Sequence, residues 1–204
     1  MVAQAKASVR RRPQQRRARD TVEAVLDAVI RLLKREGTAA ITTNRIAEVA
    51  GVSIGSVYQY FPDKRAIFTA LHTRHVEQID RVIQSTLVNH AASSMEELLR
   101  AMIEAMIDAH TTDPELYELL LTAVPHKADG TPEFAVRLHG AFLLALSARA
   151  SELKNHHDLN RAAFIVANMV EALSHGAVLR RPATLSLAEA KEEVVKAVLA
   201  YLRA

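Results

Sequence analysis

Between Thr43 and Tyr60 the chain reads TNRIAEVAGVSIGSVYQY, a stretch that leaves little choice of local structure. Thr42 or Thr43 is placed to cap a short helix running to Ala50, and Gly51 to stop it, since a chain leaving a helix in the left-handed conformation favours glycine. Ser53 caps a second short helix that ends near Phe61, ahead of Pro62, whose ring disfavours helix in the residue before it. Ala47 falls where two crossing helices approach closely, and Ile46, Val52 and Val57 fall where a small core would close. A small residue, a glycine and an aliphatic in that order and spacing describe a helix-turn-helix. Two ordinary core helices joined by a glycine satisfy the same spacing, so the surroundings must decide.

Those surroundings are helical throughout. With six glycines and six prolines in 204 residues and a wealth of Ala, Leu, Val, Ile and Glu, the chain has few tight turns and strong helix formers. Val22, Val25, Leu26, Val29, Leu32 and Leu33 recur at helical spacing from Asp20, and Lys34, Arg35 and Gly37 suit a helix C-terminus. A long helix is expected from Asp63 to about Asn89, then others over Met95–Thr112, Pro114–Ala123, Pro132 to about Lys154, Leu159–Leu179 and Leu187–Leu202. The expected fold class is all-α, with about nine helices and no alternating strand pattern. Residues 1–19 read as a basic, disordered arm, 20–66 as the helix-turn-helix domain and 67–204 as a larger helical domain.

Charge divides the chain in the same way. Residues 1–75 carry 14 Lys/Arg against 6 Asp/Glu, a balance of +8, whereas residues 76–204 carry 12 against 17, a balance of −5. A basic first third suits a polyanion, and an acidic remainder does not suit a protein coated by nucleic acid. The absence of cysteine excludes disulfides, thiolate metal sites and cysteine nucleophiles. No uninterrupted apolar run approaches a membrane span, AFLLALSA at 141–148 being the longest, and the N-terminus lacks the apolar segment of a secretory signal. A cytoplasmic protein without membrane contact is expected. His156 and His157 are adjacent and so do not share a helix face, and neither a metal-ligating, nucleophile-elbow, P-loop nor dinucleotide pattern occurs, so neither catalysis nor a cofactor is expected.

The run ITTNRIAEVAGVSIGSVYQYFPDKRAIFTAL, together with the helix before it, resembles the DNA-binding domain of the TetR family of bacterial transcriptional regulators. The S-x-G-S-V-Y-x-Y-F-x-x-K portion carries most of the likeness, which spans roughly residues 20–72; the rest of the chain is similar in length and helix count but shares no motif. The resemblance implies an all-α homodimer whose second domain binds a small-molecule effector: a ligand-responsive regulator, a repressor, on a palindromic operator. A non-specific architectural DNA-binding protein is the alternative for the basic third.

Side-chain chemistry distributes the roles. The second short helix would enter the major groove, with Ser53 and Gly55 allowing close approach, Ser56 and Gln59 donating and accepting at base edges, and Ile54 meeting a thymine methyl. Tyr58 and Tyr60 offer hydroxyls to phosphates, although Tyr58 also has the option of packing partly inward. Thr43 and Lys64, near helix N-termini, would hold the DNA backbone, and Arg45 would add a base or phosphate contact. Val57 and Phe61 belong to the small core. In the second domain Met102, Met106, Tyr117, Leu121, Phe134, Leu138, Phe142 and Met169 are core or, on the family analogy, pocket lining, with His110, His139 and His175 placed to orient a ligand. The stripes Ala163, Val166, Val170, Leu173, Ala177 and Ala190, Val194, Val198, Leu202 are expected to form a four-helix dimer bundle, the alternative being that they cover their own core.

Overall fold

The computed structural model describes residues 11–123, 132–153 and 158–204. Among the described residues there are nine α-helices and no strand. They are α1 (Arg11–Glu36), α2 (Thr43–Ala50), α3 (Ile54–Tyr60), α4 (Lys64–Asn89), α5 (Met95–Thr111), α6 (Pro114–Ala123), α7 (Pro132–Ser147), α8 (Leu159–Leu179) and α9 (Leu187–Arg203). The all-α class expected from the apolar periodicity is the class found. The chain forms two compact units, one up to His72 and one from Thr73.

The first unit is built on α1, α2, α3 and the first turns of α4. Thr42 caps α2, its hydroxyl accepting from the Arg45 N–H at 3.3 Å. The helix closes on Gly51, which takes the left-handed conformation (φ 68°, ψ 30°). There the Val52 N–H donates to the Ala47 carbonyl (3.0 Å) and the Gly51 N–H to that of Glu48 (3.1 Å), the paired bonds of a Schellman ending. Ser53 then caps α3, accepting from the Ser56 N–H at 3.0 Å. Val25, Val29, Leu32, Ile41, Ile46, Ala47, Val57, Phe61 and Ile67 are all buried, whereas Val52 is only half-buried. Asp63 caps α4, its carboxylate accepting from the Ala66 N–H at 2.7 Å.

One expectation fails at the N-terminus. Residues 1–10 of the anticipated disordered arm lie outside the described residues, but residues 11–19 are helical and continuous with α1. The physical reason is propagation. Once the apolar face from Val25 onward has nucleated a helix, each added residue costs little, and the Gln, Arg and Ala residues preceding Asp20 favour helix.

The second unit packs α5, α7 and α9 around α8. Ser94 with Glu97 and Ser186 with Glu189 form capping boxes at the starts of α5 and α9. Helix α7 stops at Ser147 and a 3₁₀ turn follows at Ala150–Glu152, instead of one helix continuing to Lys154. The cause is Arg149, which is buried and donates to the carbonyls of His90 (2.8 Å), Ala91 (2.9 Å) and Ser93 (2.8 Å). These carbonyls belong to the turn between α4 and α5, so a buried cation ties that turn to the end of α7.

Helix α8 bears on two further expectations. Although no uninterrupted apolar run is long, Leu159–Leu179 is long and apolar enough to cross a membrane by length and composition, and 39% of its most apolar stretch is buried. It serves here as the central core helix. Ala163, Val166, Val170 and Ala177 on α8, and Ala190, Val194, Val198 and Leu202 on α9, are buried within their own chain, so the expected dimer stripes are core instead. Of the residues assigned to that bundle, Leu173 alone remains exposed. An apolar stripe read from sequence says that something covers it, but not whether the cover comes from the same chain.

The Gly51 turn makes a measurable demand. A Cβ at Gly51 would meet nothing within 4 Å, so the cost of Gly51→Ala is that of the left-handed conformation itself, about 1 kcal/mol. Amide hydrogen exchange in α2 and α3 of that variant is expected to quicken about fivefold. Gly51→Asn, which tolerates this conformation better, should show a smaller change.

Candidate functional site

Helix α3 is seven residues long and has two distinct faces. Val57 and Phe61 point into the core of the first unit, and Ser56 and Tyr60, four apart, are half-buried at its margin. Ile54, Gly55, Tyr58 and Gln59 share the opposite, exposed face, Tyr58 with 54% and Ile54 with 38% of their surface accessible. Tyr58, which had the option of packing partly inward, is the more exposed of the two tyrosines, while Tyr60 lies partly under cover. Ser56 is also less available than anticipated. Its hydroxyl lies 2.8 Å from that of Ser53, so the two serines are engaged with each other at the helix start.

The flanking cations are committed within the unit. Arg45 is held by two carboxylates, Glu48 at 2.6 Å and Glu36 at 2.5 Å, which joins α2 to the end of α1 rather than leaving the guanidinium free. Lys64 donates to the Ile41 carbonyl at 3.2 Å and lies over the Phe68 ring at 5.6 Å from its centroid. Thr43 is the first residue of α2 and half-exposed, next to the capping Thr42. Glu48 and Phe68 stand one helical turn from Arg45 and Lys64, but Glu36 and Ile41 reach them through tertiary packing that spacing does not reveal.

The second unit brings three of the anticipated ligand residues together and adds a fourth. His110 and Tyr117 stack edge-on at 4.4 Å between ring centroids, and His175 lies 5.3 Å from His110 and 5.4 Å from Tyr117. His75 of α4, which no sequence signal pointed to, completes the group at 5.5 Å from His110 and 5.6 Å from Tyr117. His110 donates through Nδ1 to the Met106 carbonyl at 2.7 Å, leaving Nε2 of the neutral ring as an acceptor. Burial pushes the His110 pKa down. Burial, with the neighbouring His110 and Arg180, pushes that of His175 down to about 4. The hydroxyl of Ser174 is buried and has no hydrogen-bond partner among the described residues.

Met102, Met106, Phe134, Leu138 and Phe142 are fully within the core of this unit, with Met169 packed at its edge. The Leu121 side chain lies outside the described residues. His139 stands apart from the group, its Nε2 donating to the Asn160 carbonyl at 3.1 Å and its ring 6.3 Å from that of Phe164. Around it α7 and α8 leave large apolar side chains in the open: Val136 and Leu144 on one, Phe164 and Leu173 on the other. Among the described residues no cluster of His, Cys, Asp or Glu is arranged to hold a metal ion.

An all-helical chain with a capped, glycine-turned helix pair in a basic first unit has the build of a bacterial DNA-binding regulator. Residues 25–71 match the family model of bacterial regulatory proteins, tetR family, and residues 94–202 match that of the tetracyclin repressor-like C-terminal domain. The chain belongs to the TetR family of transcriptional regulators. It is 27% identical over 122 residues to the HTH-type transcriptional regulator AcrR of Shigella flexneri, 58% of this chain and 54% of that protein. It is 36% identical over 102 residues to the nucleoid occlusion factor SlmA of Actinobacillus pleuropneumoniae, 48% and 46% of the two chains. The chain thus spans about half the length of the curated relatives it matches. Its fold is similar to that of the TetR-family repressor AlkX of Dietzia (TM-score 0.62, 18% identity, 89% and 94% covered). It is also similar to Thermus thermophilus FadR, solved with lauroyl-CoA (TM-score 0.60, 19% identity, 87% and 93% covered).

The buried imidazoles have a consequence for stability. A histidine whose folded pKa is about 4 but whose unfolded value is near 6.5 binds its proton more readily when unfolded, so acid favours unfolding. Stability is expected to be level above about pH 6.5, to fall as the pH drops toward 4, and to lose nothing more on this account below that. Thermal unfolding measured across this range should show a shallower fall for His175→Gln than for the native chain.

Proposed function

We propose that this protein is a cytoplasmic, ligand-responsive repressor that binds a two-fold symmetric operator as a homodimer and is released by a small-molecule effector held in the second unit. The observation that carries the DNA reading is the outward face of α3. Gly55 permits close approach to the duplex, Gln59 can pair with adenine, Ile54 suits a thymine methyl and Tyr58 offers a hydroxyl to a phosphate. The bonding of Ser56 to the capping Ser53 takes its hydroxyl from the bases, and the carboxylate pairs of Arg45 make it a brace of α2.

Dimerisation supplies what a single seven-residue helix lacks, since two copies set about 34 Å apart engage successive turns of the major groove. The outer faces of α7 and α8 are the surfaces for it, because Val136, Leu144, Phe164 and Leu173 are open apolar side chains and the inner stripes are consumed by the core. The effector is assigned to the group around His110, Tyr117 and His175. The imidazoles of His110 and His175 are uncharged near neutral pH, which suits an apolar molecule carrying an uncharged hydrogen-bonding group. FadR of Thermus thermophilus, which holds lauroyl-CoA, is a precedent for an acyl ligand in a protein of this fold. His75 places α4 in that group and Lys64 places the same helix in the first unit, so occupancy has a helix through which to act. A coupling of about 1–3 kcal/mol would alter operator affinity roughly 5- to 150-fold.

The test uses a duplex selected by the protein from a random-sequence pool. Footprinting is expected to show one short two-fold site, and protection without sequence preference would favour an architectural protein instead. On the selected duplex Gln59→Ala should cost about 1–3 kcal/mol and relax the preference at one position per half-site, whereas Tyr58→Phe should weaken all sequences alike. Sedimentation should show Phe164→Asp shifted toward monomer with operator binding reduced in parallel. A dimer unaffected by that change would move the interface elsewhere.

A further inference from the structure

The geometry points to the N-terminal end of α1 as a rigid basic arm that lies across duplex phosphates outside the groove read by α3, an inference that rests on the DNA-binding reading above. Helix α1 begins at Arg11, while its first fully buried residue is Val25, so about 21 Å of helix precedes the core at 1.5 Å per residue. Arg16, Arg17 and Arg19 on this segment are exposed, and no acidic residue occurs before Asp20. Arg16 approaches Asp20 at 3.9 Å, an exposed pair that is readily exchanged for a phosphate.

Two contacts give the arm its direction. Arg45, early in α2, meets Glu36 at the end of α1, and Arg31, nearly a turn and a half earlier in α1, donates to the Val49 carbonyl near the end of α2 at 3.2 Å. The two helices are therefore antiparallel, and the Gly51 turn leading into α3 opens toward the N-terminal half of α1. The arm thus extends on the side from which α3 begins. Its helical state decides what it can touch. A helix with side chains is about 10–12 Å across and the minor groove about 6 Å wide, so the arm cannot enter that groove as a flexible tail would. With α3 in the major groove, the phosphate ridge is the surface left to it. Contacts there add affinity and salt dependence without reading sequence.

The experiment compares the full chain with its triple variant Arg16→Gln, Arg17→Gln, Arg19→Gln, in which glutamine preserves helix propensity. Binding to the selected duplex is followed by anisotropy as salt is raised, with flanks of A·T-rich or G·C-rich sequence. Each arginine that meets a phosphate contributes about −0.9 to the slope of log K against log salt, so the triple change should flatten the slope by about 2–3 per protomer. The loss should be equal on both flanks, footprint preference should be unchanged, and the corresponding triple Lys variant should restore the slope. An unchanged slope would overturn the arm, and a loss confined to A·T-rich flanks would overturn the phosphate-ridge placement in favour of the minor groove. Failure of the native chain to select any duplex would instead sink the DNA reading itself.

Discussion

The first unit depends on the left-handed turn at Gly51. By ending α2 with its last carbonyls satisfied and sending the chain straight into the Ser53 cap, it sets α3 at an angle from which Val57 and Phe61 reach the core. Helical geometry then does the rest, because burying positions 57 and 61 turns 54, 55, 58 and 59 outward. The short caps matter for the same reason. A seven-residue helix is too short to be stable alone, so its outward face exists only while the Ser53 cap and the core below hold it.

In the second unit the controlling element is α8, a helix apolar on nearly every side. Its inner residues are small, with Ala162, Ala163, Ala167 and Ala177 permitting close packing of α5, α7 and α9, and the apolar side chains left over face outward. Such a helix is satisfied only when its outer face is covered as well, which is the physical ground for placing a second copy there. Beside it, the imidazoles of His75, His110 and His175 crowd around Tyr117, and burial disfavours charge on His110 and His175. A buried polar group of this kind has a cost that a hydrophobic core would not carry, and that cost is one mark of a ligand site.

Much of the fold was legible because its signals are local. Thr42, Gly51, Ser53 and Asp63 each act on amides or conformations within a few residues, and the helix boundaries they announce fall within one or two residues of those observed. Where a boundary moved, a distant partner moved it. Helix α7 ends early because Arg149 reaches carbonyls more than fifty residues away, and α1 begins early because a helix already secured by its core extends at little cost. The site was legible to a lesser degree. Ile54, Gly55, Tyr58 and Gln59 followed from the motif, and the bond of Ser56 to the Ser53 cap is local, but the diversion of Arg45 to Glu36 and of Lys64 to Ile41 depends on neighbours that sequence spacing does not reveal.

Composition, periodicity and caps by themselves determined an all-helical chain with a capped, glycine-turned helix pair in its basic first third. They could do so because helix propensity, capping and amphipathic period act over one or two turns. Tertiary structure alone decided which apolar stripes close the chain's own core and which stay open, that His75 joins His110, Tyr117 and His175, and which of two tyrosines is presented. Each of those outcomes depends on what lies across a packing interface, and residues that meet there are separated in sequence by distances over which no local pattern carries information.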